Sequence, residues 1–400
     1  MEQISRVAVI PCPSYEQELV DQAVRDGLAC LGGVGQYVNS GEQILLKPNL
    51  LKKAEPELAV TTHPAVFAAV AKCVKAAGCD EIFYGDSPGL QPFEEAARVS
   101  GIRQAAEALG VMPGDFHEGV FYPWPEGRTA REFILCRGAA EADGIINVCK
   151  MKTHALERVT GAVKNLYGCV QGKHKSAGHV RYPSAAHFAS MLCDLHRALK
   201  PRLHIMDGIT AMEGNGPGSG IPVHMGVLLF STDPVALDTV FCRLIHLDPA
   251  LVPTNFCGQQ YGIGNMEEKK IELVTVKREK GETGDCPIVP LTMEEAVSRW
   301  GKADFDADRN PRSERAEWKL LRRVMKPFQQ RPFIRADLCV RCGICVDSCP
   351  VEGKAVSFQK GRSQPPVYDY SKCIRCYCCQ EMCPKKAIEV RTPRIARLFR

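Results

Sequence analysis

The chain has 400 residues, 45% hydrophobic and 24% charged, with a formal net charge of +5. That length fits two or three domains rather than one core, and the small net charge gives no support to a nucleic-acid partner. No apolar run is long enough to span a bilayer, and "MEQISRVAVIPCPSYEQ" shows neither an apolar h-region nor a small-residue cleavage site.

In chain order, apolar runs of strand character alternate with stretches of helical spacing. "RVAVIPC" reads as a first strand, followed by the helix-like "SYEQELVDQAVRDGLACLGG" with Ser14 as its N-cap. "EQILLKPNLL" reads as the second strand, followed by "HPAVFAAVAKCVKAAGC" with Thr62 as the cap. "EIFYGDSPG", "GIINVCKMKTH", "RLHIMDGITAMEGNGPGSG" and "GVLLFSTDPVALD" continue the pattern. Short, nearly continuous apolar strands between amphipathic helices predict an α/β body over residues 1–305. Its expected core is a mainly parallel sheet flanked by helices, Rossmann-like in layout.

Ligands of such sheets bind beyond the carboxyl ends of the strands. Each run here ends in a polar cluster: Cys12; Lys47 and Asn49; Asp86 and Ser87; Lys150, Lys152 and His154; Asp207 and Glu213; Asp233. Loops are polar in any case, but six clusters on one rim favour a shared site. "KMKTHALERVTGAVKNLYGCVQGKHKSAGH" adds Lys164, Lys173 and Lys175 with His174 and His179, a set suited to a carboxylate or phosphate. The competing reading is a solvated basic loop, against which Lys164 and Asn165 stand in the apolar context "GAVKNLYGCV". The glycines of "DGITAMEGNGPGSGIP" permit close backbone approach to a ligand.

The expected anion site therefore comprises Lys47, Asn49, Lys150, Lys152 and Asn165 with Gly214 and Gly216. His154, Lys164, Asp86 and Asp207 are the candidate catalytic groups, and Asp207 has turn capping as its plainer role. There is no P-loop and no G-x-G-x-x-G opening a helix, so a nicotinamide dinucleotide gets no support. Nucleophile-elbow, H-E-x-x-H and deaminase signatures are also missing. A mononuclear site from Cys12, Cys149 or Cys169 with His154 gains little from spacing.

Residues 306–335 read as a basic helical linker. Eight Lys/Arg lie between Asn310 and Arg335, and Trp318, Leu321 and Met325 form an apolar stripe that stops near Pro327. A connector that docks the next domain is preferred to a membrane-surface helix.

Residues 336–400 carry the sharpest signal. Of twenty cysteines, nine lie between Cys339 and Cys383. "CVRCGICVDSCP" and "CIRCYCCQEMCP" both follow C-x2-C-x2-C-x3-C-P. Three closely spaced thiolates serve one cubane, and the fourth cysteine before proline serves the other. Cluster I is therefore assigned to Cys339, Cys342, Cys345 and Cys383, and cluster II to Cys373, Cys376, Cys379 and Cys349. Zinc sites typically bring two C-x2-C pairs and fit less well. Cys378 breaks the three-residue step and is left as a spare thiol, inert or tuning the cluster through polarity. "AVSF" and "PVYDY" are expected to form a short hairpin, with "KAIEV" following. The scattered remaining cysteines read as reduced thiols of a cytoplasmic protein.

The segment resembles the bacterial two-cluster ferredoxin, a small α+β domain. Together with "LLKPNLL", "TTHP", "GDSPG", "INVCKMKTH", "TGAVKNLYGCVQGKHK", "DGITAMEGNGPGSG" and "STDPVALD", the chain resembles the DUF362 family, often fused to such a ferredoxin. The resemblance implies fold and cluster content but no settled reaction. The expectation is an oxidoreductase passing single electrons through two [4Fe–4S] clusters to a small anionic ligand, served by a ferredoxin-like partner. The alternative is a carrier or assembly factor whose body binds another protein.

Overall fold

The computed structural model describes residues 4–89, 91–278, 284, 286–310 and 329–393. Strands β1 (Ser5–Pro11), β2 (Ile44–Pro48), β3 (Ile82–Tyr84), β4 (Met112–Pro113), β5 (Gly119–Pro123), β6 (Glu132–Cys136), β7 (Gly144–His154), β8 (Arg158–Thr160), β9 (Leu203–Glu213), β10 (Ile221–Ser231), β11 (Ile271–Val276) and β12 (Ile288–Leu291) belong to the body. Ten of them form one sheet in the order β12-β11-β1-β10-β9-β7-β2-β3-β4, with β8 on β7. β9, β7, β2, β3 and β4 are parallel, whereas β10 lies antiparallel to both β9 and β1. The carboxyl ends of β1, β2, β3, β7 and β9 thus share one edge.

The strands are apolar on both faces because helices cover both. β2 and β7 are buried along their whole length. Val20, Val24, Val66, Phe67 and Val70 of helices Gln17–Cys30 and Pro64–Ala76 fill one face around Leu45 and Leu46. Helix Pro234–Leu244 covers the other, where Leu237, Val240 and Phe241 meet Met206, Val227 and Leu229. Phe305 is fully buried in this second layer, and Arg158 binds the Asp308 and Asn310 carbonyls, so the body continues to Asn310.

Local details depart from the sequence reading at three places. Ser14 does not cap the first helix: it accepts the Glu16 N–H, and Glu16 holds the cap position. His63, through Nδ1, caps the second helix, while Thr62 bonds the Val148 carbonyl and the Asn49 N–H. Asp233 lies on the opposite edge from the other polar clusters, because β10 runs against its neighbours. There it caps helix Pro234–Leu244 and bonds Ser5 at the start of β1.

The C-terminal module contains β13 (Arg331–Ile334), β14 (Val356–Ser357), β15 (Val367–Tyr368) and β16 (Ile388–Arg391). The β14–β15 hairpin is the expected one. β16 pairs instead with β13, so Arg331–Ile334, read from sequence as linker, is a strand of the module. The expected linker helix with Trp318, Leu321 and Met325 lies outside the described residues. The module's interior consists of Cys345, Cys349, Cys373, Cys379 and Cys383 with Ala355, Val356, Ala387 and Ile388. A core this poor in hydrocarbon needs an additional staple, as small domains generally do.

The module sits on the glycine-rich turn after β9. Gln380, fully buried, donates to the Asn215 carbonyl and side-chain oxygen at 2.9 Å each and to the Gly216 carbonyl at 3.2 Å. Asn215 donates to the Ile388 carbonyl, and Lys52 to the Glu381 carbonyl. A Cβ on Gly216 would overlap Thr153, and one on Gly218 would press on Lys52 and Glu381. Gly216 is thus needed for close packing on β7 inside the body, and Gly218 for close approach to Lys52 and to the Glu381 carbonyl of the module.

Candidate functional site

A cavity of about 110 Å³ opens where the shared strand edge meets the C-terminal module. The body contributes Asn49, Asp86, Ser87, Lys152, His154, Thr160, Lys164, Asn165, Tyr167, Lys175, Ser176 and His179, and the module contributes Ser348, Cys378, Glu381 and Met382. Six sequence candidates thus meet here: Asn49, Asp86, Lys152, His154, Lys164 and Asn165. Lys47, Lys150, Asp207, Gly214 and Gly216 are not among the lining residues.

Local backbone geometry explains the division. The register between β7 and β9 shifts between Lys150 and Lys152, and such an irregularity re-aims side chains. Lys150 consequently turns away to a closed network: its Nζ is 2.8 Å from Asp207 Oδ2 and 2.9 Å from Tyr15 OH, which donates to Asp207 Oδ1. Asp207 also takes the His63 N–H. All its charge is matched inside the protein, so this pair anchors the first two helices to the sheet. Removing one partner of such a buried pair typically costs about 3–5 kcal/mol.

Lys47 is likewise structural. Its fully buried Nζ lies 3.1 Å from Asp86 Oδ1 and bonds the Pro48 carbonyl, and Asp86 Oδ2 takes the Leu50 N–H. A Cβ on Gly168 would overlap Asp86 and press on Lys47, so the "NLYGC" turn closes over this pair. Lys152, by contrast, is held only by neutral oxygens, Asn49 Oδ1 and the Val60 carbonyl at 2.7 Å each. Burial, then repulsion from Lys164, hold its pKa well below the ordinary lysine value.

Asn49 is steadied from behind by a buried amide chain. Asn49 donates to Asn165 at 2.8 Å, Asn165 to Asn147 at 2.7 Å, and Asn147 reaches His204 Nδ1 at 2.9 Å. Sequence reading missed Asn147 and His204 because each sits inside an apolar strand; their polarity at such positions was the available signal.

Lys164 has no hydrogen bond or ion pair among the described residues; its Nζ lies 6.0 Å from the Tyr167 ring centroid. Lys175 bonds the Ser87 carbonyl, and burial lowers its pKa to about 8. His154 Nδ1 accepts the Leu156 and Glu157 N–H groups, so its ring proton resides on Nε2, 3.2 Å from Glu381 Oε1. Burial, with Lys164 adding to it, lowers His154 to about 4, so the ring is neutral near pH 7. His179 stacks on Phe188 with centroids 4.4 Å apart, and its buried Nδ1 has no hydrogen-bond partner among the described residues. His174 and Lys173 are exposed, as the solvated-loop reading expected for that stretch.

The assigned cysteines of the module line two pockets. Cys339, Cys342, Cys345 and Cys383 line one pocket of the module, and Cys349, Cys373, Cys376 and Cys379 line a second. The sulfurs of Cys349 and Cys383 each accept a backbone N–H at 3.3 Å, from Ala355 and Ala387, and Tyr368 OH lies 3.1 Å from Cys379 Sγ. Donors aimed at sulfur suit thiolates, so the donor set fits a cubane in each pocket. Among the described residues, no group of three or more His, Cys, Asp or Glu side chains converges as a mononuclear ion requires. Cys378 faces the cavity. With Glu381 and Met382 it occupies positions i, i+3 and i+4 of one turn, a spacing that marks a common face and was legible before folding.

Comparison with known proteins finds relatives for both parts of the chain. The model of DUF362, a domain of unknown function, matches residues 44–243, and that of a 4Fe-4S dicluster domain matches residues 331–384. The chain is 37% identical over 261 residues to the thylakoid-associated protein sll1697 of Synechocystis sp., which spans 65% of this chain and 80% of that protein. The lactate racemase apoprotein from Thermoanaerobacterium thermosaccharolyticum aligns with a TM-score of 0.36 and 11% identity, over 61% of this chain and 57% of its own. The protein belongs to the DUF362 family, with a C-terminal iron–sulfur module of the ferredoxin kind. Among the described residues, no helix is long and apolar enough to cross a membrane.

Proposed function

We propose that this protein is an iron–sulfur oxidoreductase passing single electrons through two [4Fe–4S] clusters to a small anionic substrate in the interdomain cavity. One observation carries the reading: the cavity is walled on one side by rim lysines and on the other by residues adjoining the cluster cysteines. Ser348 precedes Cys349, Cys378 lies between Cys376 and Cys379, and Met382 precedes Cys383. Cys339, Cys342, Cys345 and Cys383 would hold one cluster, and Cys373, Cys376, Cys379 and Cys349 the other. When bound, the clusters supply one-electron transfer.

The protein's own side chains do the rest. Lys152 and Lys164 bind the anion and orient it, with Asn49 and Asn165 fixing the position of Lys152. The neutral His154, with its proton on Nε2, is placed as a hydrogen-bond donor at the cavity wall. Cys342 alone among the eight assigned cysteines is exposed, and a ferredoxin-like redox partner would meet the module there. A cytoplasmic setting is part of the proposal, since the many unpaired thiols suit a reducing compartment.

The test is anaerobic reduction of the cluster-loaded protein with dithionite, followed by reoxidation with a panel of small anionic oxidants. Turnover with one of them, weakened in Lys164→Ala and His154→Ala, is expected. A protein that binds no small molecule and reoxidises only with a protein partner would instead be a carrier or assembly factor.

A further inference from the structure

The helix Gly172–Arg181 begins at the cavity wall. The first N–H groups of a helix have no partner within it, and they attract anions. Here the Gln171 side chain takes the Lys173 N–H, and the Gln171 carbonyl takes that of His174. Gly172, the first residue, borders the cavity and leaves its N–H for a ligand. Lys175, Ser176 and His179 of the same helix also line the cavity.

Two further observations point to a ligand. His179 is more than nine-tenths buried, yet its Nδ1 is unpartnered among the described residues. Lys164, from a different element, presents an ammonium with no ion pair within contact distance among the described residues. The charge balance sets the ligand's valence. Lys152, Lys164 and Lys175 face the cavity, Asp86 is matched by Lys47, and Glu381 is the one remaining carboxylate. Once a bound anion has drawn protons onto Lys152 and Lys175, three ammoniums against one carboxylate leave an excess of two positive charges. Donors converge from the helix start, from the turn carrying Lys164 and from Ser87 after β3, which suits a tetrahedral group better than a planar carboxylate. The volume, about 110 Å³, lies below the roughly 300–1,000 Å³ of drug-sized sites, so the molecule is small.

We propose that the cavity binds a phosphate-type dianion, seated on the start of helix Gly172–Arg181 and held by Lys164, Lys175 and His179. This rests on the reading of the cavity as a substrate site and names the substrate class, a small phosphorylated compound. Binding is coupled to protons. Lys175 is held at about 8 by burial, opposed by Asp86 and Cys136 and reinforced by Lys47 and Lys164. Lys152 is depressed by burial and by Lys164 and Lys150, against Asp86 and Glu381. A dianion raises both lysines toward their ordinary range, so complex formation takes up protons near pH 8.

The experiment is anaerobic titration calorimetry on the full, cluster-loaded and oxidised chain. The probes are inorganic phosphate, phosphoglycolate and malonate, in two buffers of different ionisation enthalpy at pH 8. One phosphate-type ligand per chain is expected, bound at least about tenfold more tightly than malonate, with net proton uptake. Tighter phosphoglycolate identifies a phosphoester site, and tighter inorganic phosphate a free-phosphate site. Lys164→Gln should weaken binding about tenfold or more, and Lys175→Gln should reduce proton uptake. His179→Phe should weaken binding, with His179→Asn restoring part of it through a donor near Nδ1. Malonate binding as well as phosphate, no phosphate binding at millimolar concentration, or indifference to both lysine variants would overturn the assignment. The clusters stay oxidised throughout. A chain that binds phosphoglycolate, yet is reoxidised by no small phosphorylated acceptor, therefore fails the redox reading and keeps this one.

Discussion

Two adjacent cysteines are expected to behave oppositely when removed. Cys379 borders the pocket shared with Cys349, Cys373 and Cys376, and its sulfur lies 3.1 Å from Tyr368 OH. Cys378, one residue earlier in the short helix Cys378–Glu381, borders the interdomain cavity. A single step along a helix turns the side chain by about 100°, and Cys378, though it touches Cys376, borders the cavity rather than the pocket of Cys379. Each cubane holds four irons, so the intact chain should contain about eight irons and eight sulfides. Cys379→Ala should lower both to about four, whereas Cys378→Ala should keep about eight. Cys349→Ala should abolish the same reduced-cluster electron paramagnetic resonance signal as Cys379→Ala, despite its distance in sequence. Cys383→Ala should match Cys339→Ala. Anaerobic iron and acid-labile sulfide analysis reads the first comparison and spectroscopy the second. Eight irons in Cys379→Ala with four in Cys378→Ala would refute the register and the pocket assignment together.

Gln380→Ala should loosen the module from the body, because it leaves the Asn215 and Gly216 acceptors without their donor. A loss of about 1–3 kcal/mol is expected, read as faster limited proteolysis of the chain at unchanged iron content; equal cleavage of both proteins would count against the docking role. Stability should fall on acidification from about pH 6.5 toward 4. His63, His179 and His196 are held at about 4 by burial, so in that window the unfolded chain binds protons that the folded chain does not. Their contribution is thus complete above pH 6.5 and is lost below it. The urea midpoint, followed anaerobically from pH 7 to 5 alongside cluster absorbance, should decrease; a rising midpoint would remove buried histidine as the cause.

How much of this protein could be read before folding follows from which interactions are local. The cysteine register is a matter of spacing within short runs, so an assignment of ligands could be made before folding. The α/β alternation is likewise local, since an apolar run such as "GIINVC" reports burial on both faces wherever its strand lies in the sheet. The membership of the cavity is different in kind. Lys47, Lys150, Lys152 and Lys164 looked equivalent, yet two are neutralised by Asp86 and Asp207 and two face the cavity. For Lys150 and Lys152 that choice depends on a register shift between β7 and β9, and for Lys47 on Asp86 from β3's end, neither of which a single run encodes. Asp233 left the rim because β10 is antiparallel, a property of pairing rather than of its own residues. The glycines after Asp207 were read as a ligand loop because close approach needs glycine, but what is approached, chiefly β7 and the neighbouring strand, is a question of tertiary packing. Local periodicity sets backbone and burial; partners across the sheet and between domains set the charge that remains free for a ligand.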